Sequence, residues 1–474
     1  MIHDLKPYPA MKDSDVPWLG NVPEHWSKCP GFAAFREKQV KNTGMREKTV
    51  LSLSYGRIVV KPPEKLHGLV PESFETYQIV EPGDIIIRST DLQNDWNSLR
   101  VGLVRDRGII TSAYLCFKTT DMLIPEYGYL LLHALDLMKI FYGLGSGLRQ
   151  NLSFLDFKRM VIFVPPVSEQ SAIVRFLDAQ DRRISRLIRD KRRLVELLNE
   201  KKQVIINHAV TKGLDPDVPM KDSRVKLMGE VPDHWGFTDL KRICLKVTDG
   251  SHFSPPTQDT GLPYITVKDV KERGIDFENC KRISEEEYLK LKKNGCQPRS
   301  GDVLLTKDGT IGKAVVINED KNFVILSSLG LITPNQSKII SEYLRYYLIS
   351  GINVDQMFSF IQGSALTRLT ITLINQLLIV YPPIPEQHTI VSFLDHETAK
   401  LDALIAITRR EIDLVREFRT RLISDVVTGK LDVRGVELPA IDEVETLGEI
   451  DTGEYIETEA EELIESEEVA DADE

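Results

Sequence analysis

Two long stretches of the chain place apolar residues alternately three and four positions apart. The first runs Ile173, Leu177, Gln180, Ile184, Leu187, Lys191, Leu194, Leu198, Lys201 and Ile205, seven of the ten apolar. The second runs Ile390, Leu394, Glu397, Leu401, Leu404, Thr408, Glu411, Val415, Phe418 and Leu422, again seven of ten. A mean spacing of 3.5 predicts a coiled-coil seam with polar interruptions. Each stretch follows a Pro-Pro pair, Pro165-Pro166 or Pro382-Pro383, which blocks an earlier helix start and favours an extended approach. Neither contains Gly or Pro between its Pro-Pro-x-x-Glu-Gln junction and its closing turn, where Gly213 and Gly429 are expected to stop the helix. Each helix should run about 40 residues, roughly 60 Å at 1.5 Å per residue. One helix cannot bury such a stripe alone, and antiparallel pairing of the two is the simplest solution. The competing arrangement packs each helix on its own domain.

Between the helices the pattern shortens. β-like runs appear at Gly83–Arg88, Val161–Val164, Gly301–Thr306 and Leu378–Tyr381, with turn residues between them. Helical stretches are expected over Pro125–Tyr142 and Ser341–Phe360. This predicts an α+β arrangement, twice.

The two halves repeat one grammar. KDSDVPWLGNVPEHW (Lys12–Trp26) returns as KDSRVKLMGEVPDHW (Lys221–Trp235). PPVSEQSAIVRFLD (Pro165–Asp178) returns 217 residues later as PPIPEQHTIVSFLD (Pro382–Asp395), nine of 14 positions identical. AVTKGLD from Ala209 returns as VVTGKLD from Val426. Shared frames around divergent bodies predict one scaffold carrying two different reading surfaces, a domain duplication and not a solenoid.

Composition adds a correction to the charge. The 474 residues carry a formal net charge of −11, but Val436–Glu474 holds 17 Asp or Glu and no Lys or Arg. Residues 1–435 are therefore mildly basic, at +6, which is compatible with nucleic-acid binding. The tail is expected to be disordered, to aid solubility and to screen non-specific DNA contacts. No apolar run approaches the roughly 20 residues that span a bilayer, and the first 15 residues lack a signal-peptide core, so a cytoplasmic location is expected. The five scattered cysteines, Cys29, Cys116, Cys244, Cys280 and Cys296, suit reduced thiols and not disulfides or zinc.

Two loops recur at matching places in both bodies. One follows the Gly-Asp strand: Arg88-Ser89-Thr90-Asp91 in the first body, Lys307-Asp308-Gly309-Thr310-Ile311-Gly312-Lys313 in the second. The other precedes the last strand: Gly145-Ser146-Gly147-Leu148-Arg149-Gln150 and Gln362-Gly363-Ser364-Ala365-Leu366-Thr367-Arg368. Glycine-rich loops bring backbone amides to phosphate, while Arg, Lys and Gln read base edges. The candidate DNA contacts are Arg88, Ser89, Thr90, Arg149, Gln150, Lys307, Thr310, Lys313, Ser364, Thr367 and Arg368. Ordinary surface turns are the plainer reading of any one such loop.

Catalytic patterns are missing by comparison. Gly309–Ala314 fails the phosphate-loop spacing. The Pro-Pro sites read VPPV and YPPI, without the Asn or Asp that an amino-methyltransferase places before them. His25 and His234 have no second ligand at metal spacing and are expected to pack or cap. No nucleophile-base arrangement can be argued.

The paired openings ending in Pro-x-His-Trp, the Gly-Asp-[Ile/Val] strands and the Pro-Pro-x-x-Glu-Gln-x-x-Ile-Val-x-Phe-Leu-Asp junctions resemble the specificity subunits of Type I restriction-modification systems. The resemblance spans Lys12 to Asp432. The first repeat departs from it at Arg88–Asp91, where the second keeps the glycine-rich loop, and the second departs at its opening, where Leu227-Met228 stands in place of Trp18-Leu19. The resemblance implies two pseudo-symmetric α/β target-recognition domains separated by two long antiparallel coiled-coil helices. These are domain 1 over residues 1–166, a central spacer helix over 167–213, domain 2 over 214–383, a distal spacer helix over 384–432 and the acidic tail over 433–474. It implies a non-catalytic subunit that reads a bipartite site in double-stranded DNA and docks two methyltransferase subunits and restriction subunits in phage defence. No cofactor is expected in this chain, S-adenosylmethionine, ATP and Mg being carried by the partners. The alternative is a coiled-coil assembly scaffold that binds proteins and not DNA.

Overall fold

The computed structural model describes residues 5–62, 73–96, 98–144, 151–223, 228–272, 274–318, 321–361 and 368–437. The chain is a mixture of helix and sheet that divides into two compact units, one formed by Met1–Arg189 with Glu411–Glu474, the other by Asp190–Arg410. The division cuts both long helices, Val167–Lys212 of 46 residues and Ile384–Val427 of 44.

The first unit is built on a four-stranded antiparallel sheet in the order Phe35–Glu37, Leu115–Thr119, Ile85–Ile87, Val101–Leu103. Ile85, Ile86 and Ile87 are all fully buried, as an unbroken apolar run in a covered strand requires. The Gly-Asp pair before this strand is a turn: Gly83 takes φ +92°, and the Asp84 carboxylate accepts the Glu81 amide at 2.8 Å and pairs with Lys38 at 2.6 Å. Ser27–Pro30 pairs with Val161–Val164, so the strand leading into the long helix is tied to the opening of the chain.

The second unit repeats the plan. Its four-stranded sheet runs Cys244–Asp249, Leu329–Pro334, Val303–Thr306, Ala314–Val316. Gly236–Asp239 pairs with Leu378–Tyr381, and a further three-stranded sheet joins Lys281–Ile283, Leu262–Ile265 and Val324–Ile325. Asp302 closes the equivalent turn by accepting the Arg299 amide at 2.8 Å and the Thr333 hydroxyl at 2.7 Å.

Each core takes the start of one long helix and the end of the other. Ile173, Phe176 and Leu177 join Leu422, Val426 and Val427 around Trp26 and Tyr127. Ile206, Ala209 and Val210 join Ile390, Val391 and Leu394 around Trp235 and Tyr343. Within the first unit Asp181 pairs with Arg419, and within the second Lys202 pairs with Asp402 at 2.7 Å.

The buried residues of the long helices are phased differently from the expected stripe. Leu187, Leu194, Leu404 and Phe418 are exposed, while the residues one step on at Ile405 and Ile412 are buried and Ile188 and Val195 are half-buried. A strict 3.5 spacing drifts off the 3.6-residue turn, and the buried face follows Ile390, Leu394, Thr398, Leu401, Ile405, Thr408 and Ile412. Two expected helices are also broken. The first ends at Leu137 and resumes as a short 3-10 turn after Lys139 at φ +60°. The second splits into Ser341–Leu348 and Gly351–Ile361, where the Ser350 hydroxyl caps the Tyr347 carbonyl at 2.6 Å.

Candidate nucleic-acid interface

The repeated motifs form one frame around each long-helix start. Glu169, four residues past Pro165, accepts from the Tyr8 hydroxyl at 2.6 Å, His25 Nε2 at 2.7 Å and Trp26 Nε1 at 2.9 Å. Burial and this carboxylate push the Tyr8 phenol far above its ordinary value. Glu386 does the same for His234 Nε2 at 2.8 Å and Trp235 Nε1 at 3.0 Å. The adjoining Gln170 accepts the Ile124 amide at 2.9 Å and donates to Met122 and Pro165 carbonyls, and Gln387 repeats this with Ile340, Lys338 and Pro382. Gly429 and Gly213, both at φ +78°, lie against Trp26 and Trp235, where a Cβ would come within 3.0 and 3.3 Å of the indole. The histidines thus serve packing, as expected, and the motif that looked like a junction is a buried hydrogen-bond clamp.

In each unit the predicted loop after the Gly-Asp strand meets the described residues at the end of the second predicted loop or just beyond it. In the second unit Leu369 N donates to Lys307 O at 2.9 Å, and Asp308 and Arg368 form a backbone bridge. In the first, Leu152 N donates to Ser89 O at 2.8 Å, and Asp91 N to Asn151 Oδ1 at 3.2 Å. The same backbone bond therefore joins the loop after the Gly-Asp strand to the segment before the last strand, twice.

The loops are held from beneath by different side chains. In the second unit the Thr306 hydroxyl accepts the Lys313 amide at 2.9 Å and donates to Thr310 O at 2.5 Å. In the first, Arg100, fully buried, donates to Thr90 O at 2.7 Å, Asp91 O at 3.1 Å, Asp95 O at 2.6 Å and the Tyr142 hydroxyl at 3.1 Å. Its own amide donates to Asp136 Oδ2 at 2.6 Å. Beside this loop Trp96, half exposed, stacks on Tyr142 with ring centroids 4.3 Å apart.

The candidate residues separate into classes. Thr310 and Lys313 are exposed on the loop of the second unit. Arg368 is exposed and held by Asp308, its Nε 2.7 Å from Oδ1 and Nη2 2.9 Å from Oδ2. Arg88 is partly exposed and pairs with Asp95 at 3.0 Å, and Thr90 is half-buried. Lys307 and Ser89 are buried at equivalent places: Lys307 pairs inward with Asp249 at 3.4 Å, and Ser89 donates to Ala113 O at 2.9 Å. Their side chains support the loops, which corrects the expectation that they face a ligand. Arg149, Gln150, Ser364 and Thr367 lie outside the described residues, as does the tail from residue 438.

A third loop of the second unit joins the site without having been singled out in the sequence. Asp249 pairs with Lys307 at 3.4 Å and lies 3.3 Å from His252 Nε2, and the exposed Phe253 follows. Gly250 is required there, since a Cβ would fall 2.1 Å from Ile325 O. The Asp-Gly pair was the available signal.

Chemistry of other kinds finds no footing among the described residues. No group of three or more His, Cys, Asp or Glu is placed to hold a metal, and no helix is long and apolar enough to cross a membrane. All five cysteines are free, and burial pushes the Cys116 and Cys244 thiols up to about 12, away from the reactive thiolate.

The chain is similar in sequence and fold to known proteins. Residues 232–416 match the Type I restriction modification DNA specificity domain. Over 364 residues the chain is 22% identical to the Type I restriction enzyme MjaVIII specificity subunit of Methanocaldococcus jannaschii, covering 74% of this chain and 82% of that one. Over 297 residues it is 23% identical to the Type I restriction enzyme EcoBI specificity subunit of Escherichia coli, covering 60% of each. A chain from a structure of the type I R-M system, described for its complex assembly and conformational transition, superposes with a TM-score of 0.60 at 18% identity, over 86% of this chain and 99% of that one. At that identity the likeness is one of fold.

Proposed function

We propose that this chain is a specificity subunit of a Type I restriction-modification system, like the proteins it resembles, and that it reads a bipartite DNA site, one half-site per unit. Members of this family are the non-catalytic subunits that supply sequence specificity. The observation that carries the bipartite reading is the repeated backbone bond between the first loop and the residue that follows the second, Leu152 N to Ser89 O and Leu369 N to Lys307 O. Matching frames hold non-identical loops, as two readers of different sequences require. The exposed Thr310, Lys313 and Arg368 offer phosphate and base contacts in the second unit, and Arg88 in the first.

In this reading the long helices pair antiparallel as a coiled coil and set the unread spacer. The pairs Asp181 with Arg419 and Lys202 with Asp402 support the direction, because position rises along one helix as it falls along the other. Helices of 46 and 44 residues, about 1.5 Å per residue, exceed the roughly 34–36 Å that separates two readers one DNA turn apart. The exposed Leu194, Leu197, Val204, Leu404 and Ile407 supply an apolar surface for methyltransferase subunits, to which restriction subunits then add. S-adenosylmethionine, ATP and Mg belong to those partners, and the target adenine is flipped by the methyltransferase.

The test is methylome sequencing of a host expressing this chain with its neighbouring methyltransferase, against the same host without this chain. A methylated adenine motif of two short half-sites around a fixed gap, present only with this chain, supports the reading. No difference with an expressed methyltransferase favours the protein-binding scaffold.

A further inference from the structure

The geometry points to Asp308 as a positioning residue that presents Arg368 to a guanine in the half-site of the second unit. This rests on the DNA-reading function proposed above and adds to it a base identity and the residue that selects it.

Arg368 gives one edge of its guanidinium, Nε and Nη2, to the two carboxylate oxygens of Asp308 at 2.7 and 2.9 Å. The far edge, Nη1 and the second Nη2 hydrogen, makes no hydrogen bond among the described residues. The Arg368 side chain is 47% exposed and the Asp308 side chain 20%, so the carboxylate sits inward and the fork outward. The backbone bridge between the two residues and the Leu369 N to Lys307 O bond at 2.9 Å fix the stem. Lys307 is in turn anchored to Asp249.

Two parallel N–H groups on a fixed plane match two adjacent acceptors. In the major groove only guanine presents them, O6 beside N7; adenine sets a donor beside N7, cytosine a donor, and thymine one acceptor beside a methyl. The ion pair also changes what Arg368 does to phosphate. Its positive charge is offset by Asp308, which weakens the sequence-independent attraction while leaving the fork in place. A free arginine would bind backbone and base alike. A buttressed one favours the base.

The experiment uses the purified complex of the full chain with its methyltransferase partner and a duplex panel in which each half-site base is changed in turn. Wild type, Asp308→Ala, Asp308→Asn and Arg368→Lys are compared by competition binding at two salt concentrations. The expected wild-type result is a preference for guanine at one position. Arg368→Lys, which keeps the charge, should lose that preference about tenfold, the scale of one bidentate contact. Asp308→Ala should lose it likewise while binding non-specific DNA more tightly and with a steeper salt dependence. Asp308→Asn should fall between, and the other half-site should be read as before. The inference is overturned if neither Asp308 variant alters a guanine preference, or if the position answering to Arg368→Lys is not guanine. It is also overturned if both Asp308 variants weaken every duplex equally. A wild-type complex that selects no sequence would instead defeat the DNA-reading function itself.

Discussion

Trp26 and Glu169 lie 143 residues apart and meet through a 2.9 Å bond from the indole Nε1 to a carboxylate that is 4% exposed. The same carboxylate takes the Tyr8 hydroxyl and His25, so three donors from the opening of the chain converge on the start of the long helix. Removing it leaves buried donors unpaired, which costs about 1–3 kcal/mol for each such group. Glu169→Ala is therefore expected to destabilise the chain by about 3 kcal/mol in urea unfolding. Glu386→Ala should cost less, because Glu386 is 31% exposed and takes two donors. Equal losses at the two sites would contradict this ranking.

Arg100 makes a second, sharper prediction. Its guanidinium is inside the protein and satisfies the carbonyls of Thr90, Asp91 and Asp95. Arg100→Met keeps the volume but leaves the Thr90 carbonyl without a donor and the Asp91 and Asp95 carbonyls with one each, from the Asp95 amide and the Tyr142 hydroxyl, an expected loss of about 3 kcal/mol, the low end of the range for breaking a buried charged network. Hydrogen exchange should quicken through residues 88–95 while the loop at 307–313 stays protected. If each unit reads one half-site as proposed, base preference should relax in one half-site only.

The acid limb of stability should report His133. Burial first, and the Arg419 charge second, lower its pKa from 6.5 to about 4. Unfolded, the imidazole takes up its proton near 6.5; folded, only near 4. The unfolded state thus binds the proton more readily, and stability is lost as pH falls from 6.5 towards 4, by about 3 kcal/mol at 1.36 kcal/mol per unit. Asp136, one helical turn away, opposes this: burial raises its carboxyl to about 6, so its protonation stabilises the fold as pH falls through that value. His133→Phe, which keeps the stacking on Tyr129 at 5.4 Å, should therefore make the chain more stable at pH 5 than at pH 8. A variant whose melting temperature falls with pH as steeply as the wild type would refute the assignment.

Much of this was legible in the chain, and what was not has physical reasons. The repeated junctions located the long helices and the loops, because proline, glycine and apolar spacing act locally. The Glu169 to Trp26 bond was hidden, since a repeat shows that two motifs matter without showing that they touch. Lys307 and Arg100 misled or escaped the reading because long cationic side chains are usually solvated, and here each is buried against carboxylate or carbonyl oxygens. The buried face of the second long helix lies one residue away from the expected stripe at Leu404, because Leu404 and Ile405 are both apolar and only the packed helix tells which faces inward.

That shift carries the last prediction. Leu404 and Ile407 are 48% and 58% exposed, three residues apart on one helical face, while Leu401, Ile405 and Thr408 turn inward. Apolar side chains so placed contribute little to the fold of this chain. Leu404→Glu with Ile407→Glu should change its unfolding free energy by no more than about 0.5 kcal/mol per site, as for other surface positions. Buried against a methyltransferase subunit, the same side chains would sit in the apolar centre of an interface, where two glutamates are costly. The double variant is expected to fold and melt as the wild type does, to keep its salt-dependent affinity for DNA, and to lose co-purification with the methyltransferase. Unimpaired co-purification would move the docking surface off this face, and a lowered melting temperature would show that these residues pack within the chain after all.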